Sequence, residues 1–291
     1  MLHRSMRIWL ASLCALLGCA APFLRAGDDP KEILRRALQM NSRNRELERS
    51  YTYVERHEQR TLDGKGAVKH GESTTWDVIP LQNSNYRRLV QRDDKPLSPK
   101  EERQQEAARQ RTEAARQEKE AQQAAETPEQ RQKRLVAKER AHQREQRDIN
   151  EVVEGFDLRL GADEQIDGIP VWVIDGSPRV GYKFKPGSFT SVVSKMKGRI
   201  WVSKSDYQPV RIDAETTDTI SLGGVLARIY KGTHVHVEFT YVNGEVWLPK
   251  HMSFRLSARI LLLKGLRQEG DSTFSGYKKF SADSRLVSIG Q

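Results

Sequence analysis

The chain has little cysteine, few aromatic residues and no hydrophobic run long enough to span a bilayer as a permanent helix. Cys14 and Cys19 are its only cysteines, and both lie in that leader. The body therefore has neither a disulfide nor a thiolate metal site to hold it, and must rely on its core. Nucleic-acid modules are missing too: there is no zinc-finger spacing, no helix-turn-helix glycine turn and no aromatic RNP-type motif. The common catalytic signatures are absent as well, with no Gly-x-Ser-x-Gly elbow, phosphate loop, His-Glu-x-x-His or catalytic cysteine. Acidic pairs such as Asp93-Asp94 sit in polar turns, where nothing drives their pKa values apart as acid–base work requires. The sequence thus assigns no catalytic residue, no metal and no cofactor, and it points away from an enzyme.

What is present suits a protein of one or two domains: 291 residues, 37% hydrophobic and 30% charged. Lys+Arg 49 against Asp+Glu 39 gives a formal charge of +10, but the charges are interspersed rather than gathered into a basic block. With no recognition module, this balance does not select nucleic acid as a partner.

Residues 1–26 read as a signal peptide. His3, Arg4 and Arg7 make a basic start, Ile8 to Leu17 are apolar, and Gly18-Cys19-Ala20-Ala21-Pro22 ends the run. Two processing routes stay open: cleavage after Ala26, or lipidation of Cys19 in a lipobox-like Leu16-Leu17-Gly18-Cys19. The first leaves a periplasmic protein, the second an outer-membrane lipoprotein.

Residues 27–97 read as one helix and the first strands. Asp29-Pro30-Lys31-Glu32 is a helix start, followed by an apolar stripe of Ile33, Leu34, Ala37 and Leu38. Burying three leucine-sized side chains at roughly 1.5–3 kcal/mol each justifies docking this helix on a sheet. From Tyr51 to Gln91 the pattern is β and rather polar, as suits a sheet edge.

Residues 98–150 change character. Ser98-Pro99-Lys100-Glu101 and Thr127-Pro128-Glu129-Gln130 each announce a helix, and between them run Ala, Arg, Gln and Glu with almost no apolar residue. This is a charged helical insert, solvated or serving as a docking arm for a partner.

Residues 151–291 return to strands. Asp167 to Glu215 predicts two antiparallel strands with a short helix between them, whose stripe is Phe189, Val192, Val193 and Met196. Val210, Ile212, Ala214 and Thr216 alternate with Arg211, Asp213, Glu215 and Thr217, which describes a sheet with one dry and one wet face. Val235, Val237, Phe239 and Tyr241 alternate in the same way with His234, His236, Glu238 and Thr240, and Asn243-Gly244 is a hairpin turn. His234, His236 and Glu238 share a strand face in a metal-like spacing. Because the apolar residues take the other face, these three are expected to meet water rather than a metal.

The DG-x-PVWVI strand, the Lys-Met-x-Gly-x-Ile-Trp-Val strand, the Lys-Ser-Asp-Tyr turn and the QPVRID strand together resemble the LolA/LolB/RseB superfamily, and more closely the bacterial outer-membrane lipoprotein-sorting proteins. That resemblance is strongest from Phe156 to Phe280. It implies an α+β fold, a strongly curved antiparallel sheet (an unclosed half-barrel) lidded by helices, with the polar helical hairpin inserted. It implies a periplasmic carrier that binds the acyl chains of lipoproteins or other lipids and makes peripheral contact with the membrane. The candidate lining is Trp172, Ile174, Val210, Ile212, Val235, Val237, Phe239, Met252, Phe254 and Leu256. The alternative that the resemblance offers is a non-catalytic, RseB-like envelope sensor docking a protein partner through the insert.

Overall fold

The computed structural model describes residues 28–81, 84–185, 187–222, 227–260 and 264–280. Residues 1–26, read above as a signal peptide, lie outside the described residues. In chain order the elements are α1 (Pro30–Glu48), β1 (Tyr51–Leu62), β2 (Val68–Leu81), β3 (Ser84–Arg92), β4 (Lys95–Pro96), α2 (Pro99–Ala124) and α3 (Pro128–Gly155). Then follow β5 (Phe156–Leu160), β6 (Glu164–Ile166), β7 (Ile169–Pro178), α4 (Ser188–Val193), β8 (Met196–Ser203) and β9 (Pro209–Thr216). The last are β10 (Ile220–Leu222), β11 (Ala227–Ile229), β12 (His234–Val242), β13 (Val246–Ile260) and β14 (Lys264–Lys279).

All strands belong to one antiparallel sheet ordered β4-β3-β2-β1-β14-β13-β12-β9-β8-β7-β5, with β6 added beside β7 and the β10–β11 pair beside β13. Among the described residues its two ends, β4 and β5, do not pair, so the sheet is unclosed. Register shifts interrupt the β1–β2, β1–β14, β2–β3, β8–β9 and β12–β13 pairings. Such bulges bend strands and increase their twist. The polar strands β2 and β3 lie toward one end, as their charge suggests, whereas β1 is interior because β14 returns to pair with it.

The helix starts behave as the sequence dictates. The Asp29 side chain accepts from the Lys31 backbone at 3.0 Å, and α2 and α3 open with reciprocal capping boxes, Ser98/Glu101 and Thr127/Gln130. No residue of α2 is buried, and α3 is buried only from Ile149 onward. With no apolar stripe, α2 is supported by its own ion pairs, Arg109 to Glu106 at 2.7 Å and Arg116 to both Glu113 and Glu120 at 2.6 Å, and is joined to β3 by Arg92–Glu101 at 3.3 Å. The Arg109 and Gln110 hydrogen bonds hold the Glu106 carboxyl down to about 2.

The main core lies where α1 and the end of α3 cross the sheet. Ile33, Leu34 and Ala37 meet Val152, Val153 and Phe156, and all of them pack on Trp172, Ile174 and Val202. A second cluster on the other face of β7 joins Val171 and Val173 to Trp201, Val210 and Trp247. Strand β7, next to one end of the sheet, is therefore dry on both faces, where alternation predicts one dry and one wet. The two tryptophans from β8 and β13 supply the second cover. Val210 also departs from the alternation that groups it with Ile212. It falls in the register shift between Trp201 and Val202, and the extra residue there turns its side chain into the second cluster. The short helix differs as well: α4 ends at Val193, Met196 opens β8, and Phe189 is exposed, so the four-residue stripe is not buried as a unit.

Candidate functional site

Cross-strand register sets out the helix-covered face as rows. One row runs Ile174–Ile200–Ile212–Val237–Met252 across β7, β8, β9, β12 and β13. Beyond it the row turns polar at Ser272 and His57, joined Oγ to Nδ1 at 2.8 Å. The neighbouring row runs Gly176–Gly198–Ala214–Val235–Phe254–Gly270. Strands lie about 4.8 Å apart, so the five apolar members of the first row span about 19 Å.

The second row explains a cavity. Gly176, Gly198 and Ala214 put almost no side chain onto the sheet, while α1, α3 and α4 stay at the height that the larger neighbours impose. A cavity of about 220 Å³ remains, lined by Leu34, Val152, Phe156, Leu158, Val193, Met196, Ile174, Ile200 and Ile212, with those three small residues as part of the floor. Lys197, Arg199 and Asp213 also contribute to its walls. A Cβ on Gly198 would stand 2.5 Å from the Asp213 carbonyl oxygen, so the strand approach itself demands glycine there.

Of the ten residues that the sequence singles out, Ile174 and Ile212 line this cavity. Trp172 is buried beneath α1, its Nε1 donating to Asp28 Oδ2 at 2.6 Å and its ring 5.0 Å from that of Tyr207. Val210 and Phe239 belong to the second cluster. Val235, Val237, Met252, Phe254 and Leu256 are half-buried on β12 and β13, continuing the rows away from the cavity. The Phe254 ring lies over Gly270, close enough that a Cβ on the glycine would collide with it. The apolar lining residues outside those ten are Leu34, Val152 and Val193 from the helices and Phe156, Leu158, Met196 and Ile200 from β5 and β8. For Leu34, Val193 and Met196 the sequence signal is an apolar stripe, which says that a side chain is buried but not what it faces.

The loop between β7 and α4 is tied to α3 by Glu151. Its carboxylate accepts from the Tyr182 hydroxyl at 3.2 Å and the Lys185 backbone at 3.3 Å, and it pairs with the Lys185 ammonium at 3.2 Å. Burial pushes this carboxyl up, but the Lys185 and Tyr182 contacts outweigh it and hold it below its ordinary range.

The opposite face is charged. His236 Nδ1 lies 2.6 Å from Asp213 Oδ1, His251 Nε2 lies 2.8 Å from Asp271 Oδ2, and Arg211 pairs with Glu238 at 2.9 Å. The histidine–glutamate trio expected from sequence is reorganised here. His251, from the next strand, joins His236 and Glu238 in one cluster. His234 instead approaches Asp213 at 3.8 Å.

Among the described residues, no helix is long and apolar enough to cross a membrane. No family model matches the chain, and no curated protein matches it. Among solved structures it is similar to an outer membrane lipoprotein-sorting protein domain from Vibrio parahaemolyticus, with 8% identity and a TM-score of 0.33 over 87% of this chain and 95% of the other. It is also similar to a DUF1329 family protein from Desulfovibrio piger, with 11% identity and a TM-score of 0.29 over 87% and 94% of the two chains. A third is a LolA superfamily protein from Nitrosomonas europaea, with 12% identity and a TM-score of 0.26 over 88% and 95%.

Proposed function

We propose that this protein is a non-enzymatic, periplasmic carrier that holds an acyl chain of a lipoprotein or lipid between its sheet and helices. The observation that supports the reading is the apolar cavity over Gly176, Gly198 and Ala214, continued by the half-buried row through Val237 and Met252. At 220 Å³ the cavity is smaller than the roughly 300–1,000 Å³ of ordinary ligand pockets. It accommodates part of a chain, and the rest lies along the rows. Eight methylenes removed from water contribute about 6 kcal/mol at ~0.8 kcal/mol each, enough for reversible capture and too little for permanent retention. The leader would deliver the protein across the inner membrane, by cleavage after Ala26 or with Cys19 lipidated.

The test is titration with a fluorescent fatty acid, together with native mass spectrometry of protein purified from an envelope fraction. A saturable 1:1 signal and a co-purifying lipid mass are expected. Apo-protein alone, with no uptake of the probe, rejects the carrier reading.

A second reading, a sensor that docks a protein partner through the insert, is favoured by the exposure of α3 from Pro128 to Arg144 with Leu135 and Val136 on its surface. Shortening the two helices separates the readings: a carrier keeps its lipid, and a docking module loses its partner.

A further inference from the structure

The charged face of the sheet holds two histidines that are each oriented by a carboxylate from a different strand. His236 and Glu238 stand two residues apart on β12, and His251 of β13 is the register partner of Glu238. One ligand atom from each of the three lies within 4.8 Å of the others. Asp213, opposite His236 on β9, takes the Nδ1 side of that ring at 2.6 Å, leaving Nε2 turned toward Glu238 at 3.4 Å. Asp271 of β14 takes Nε2 of His251 at 2.8 Å, leaving Nδ1. An imidazole that donates one N–H to a carboxylate has its tautomer and ring orientation fixed, which is how metal-binding histidines are prepared. Here both rings are prepared in this way, and the carboxylate between them completes a three-ligand set.

We propose that His236, Glu238 and His251 bind a divalent first-row transition ion, with Zn²⁺ as its representative, and that Asp213 and Asp271 orient the two imidazoles. Two imidazoles and one carboxylate suit such ions, and three protein ligands leave a fourth position open to solvent. The side chains are 22%, 24% and 29% exposed, so that position is reachable. Zn–N distances of about 2.0–2.1 Å require ligand atoms about 3.3 Å apart. Side-chain torsions supply that contraction, because neighbouring strands already set the Cβ atoms about 5 Å apart. Arg211, which pairs with Glu238 Oε1 at 2.9 Å, hydrogen-bonds the ligating carboxylate and leaves Oε2 for the ion. The register shift that follows the Glu238–His251 pair turns β13 at this point, as bulges do where a side chain is re-aimed. This site is on the face opposite the apolar cavity and stands whether or not a lipid binds there.

The experiment is calorimetric titration of metal-free, full-length protein with zinc chloride, repeated with cobalt to record its visible absorption. One equivalent is expected to bind, with a tetrahedral cobalt spectrum. His236→Ala and His251→Gln are each expected to weaken binding more than tenfold. Asp271→Asn is expected to weaken it by about 10–100-fold, as loss of a group orienting a ligand does. His57→Ala, on the other face, leaves it unchanged. The zinc-free variants are compared by circular dichroism so that loss of the site is distinguished from loss of the fold, and Asp271→Asn keeps all three ligands in place. No binding by the parent protein, or equal binding by the His236→Ala/His251→Gln double variant, overturns the proposal.

Discussion

Asn44 of α1 and Trp247 of β13, 203 positions apart, exchange two hydrogen bonds: Asn44 Nδ2 donates to the Trp247 carbonyl at 2.7 Å, and the Trp247 amide donates to Asn44 Oδ1 at 2.9 Å. The primary amide takes the place of a neighbouring strand where β13 has not yet met β14. Both residues are buried, so water cannot replace either bond. Asn44→Ala strands one amide and one carbonyl and is expected to cost about 2–4 kcal/mol in denaturant unfolding. Asn44→Asp keeps the acceptor but removes the donor and buries a charge, and it should be no more stable than the alanine variant.

This pair also shows where the sequence stops being legible. The helix that opens at Asp29-Pro30, the capping boxes, the polar insert and the alternating strands follow from local chemistry, and each of them stands in the structure. The Asn243-Gly244 turn is local too, with φ of 52° and 69° at the two positions, the left-handed values that this dipeptide accepts. Asn44 looks like one more polar residue in a polar stretch, because nothing near it in sequence reveals its partner. Val210 fails for a different reason: one bulge reverses parity, and a period-two argument cannot detect an inserted residue. The cavity was hidden in small residues. Gly176, Gly198 and Ala214 carry no hydrophobic signal, yet their alignment across three strands makes the space, while bulky residues such as Trp172 fill it elsewhere.

Phe254 covering Gly270 is a second long-range pairing with a measurable consequence. The ring occupies the volume that any Cβ at position 270 would need. Gly270→Ala must displace it, and overpacking of this kind costs typically 1–3 kcal/mol. Phe254→Ala should be tolerated better in the Gly270→Ala background than in the parent protein, since the collision is gone. Thermal unfolding of the four proteins in a double-mutant cycle measures this, and strictly additive effects would show that ring and glycine are not coupled.

Glu151 supplies the pH dependence. Its carboxyl is held below the ordinary range in the folded protein, so its contribution is present above the pKa of an unfolded glutamate and is lost as pH falls through the lowered folded value. At neutral pH, Glu151→Gln is expected to destabilise by about 1–3 kcal/mol, because the Lys185 ammonium and the Tyr182 hydroxyl lose a charged, buried partner. The gap between parent and variant should close as pH drops below the usual carboxylate range. Denaturant melts across that range test it, and a gap that stayed constant to strong acid would mean that the Glu151 charge is not what holds the loop.

Ala214 decides which part of the covered face holds a hydrocarbon. It sits in the floor of the cavity, directly beside Val235 in register, with Gly198 on its other side. Ala214→Phe projects a ring into the 220 Å³ space without removing any existing contact. Filling an apolar void returns packing contacts to its lining, so the melting temperature should hold or rise. Lipid affinity should fall at least tenfold, because the chain loses the helix-covered section where its methylenes are most removed from water. Val237→Thr lies outside the cavity and keeps the shape of the first row while adding a hydroxyl. If the helix-covered space carries the affinity, this second change weakens binding by only a few-fold. If the open rows carry it, the order reverses: the threonine variant loses the probe and the phenylalanine variant keeps it. The comparison therefore locates the chain as well as testing for it, since the two substitutions act on adjoining rows of one sheet at different depths beneath the helices.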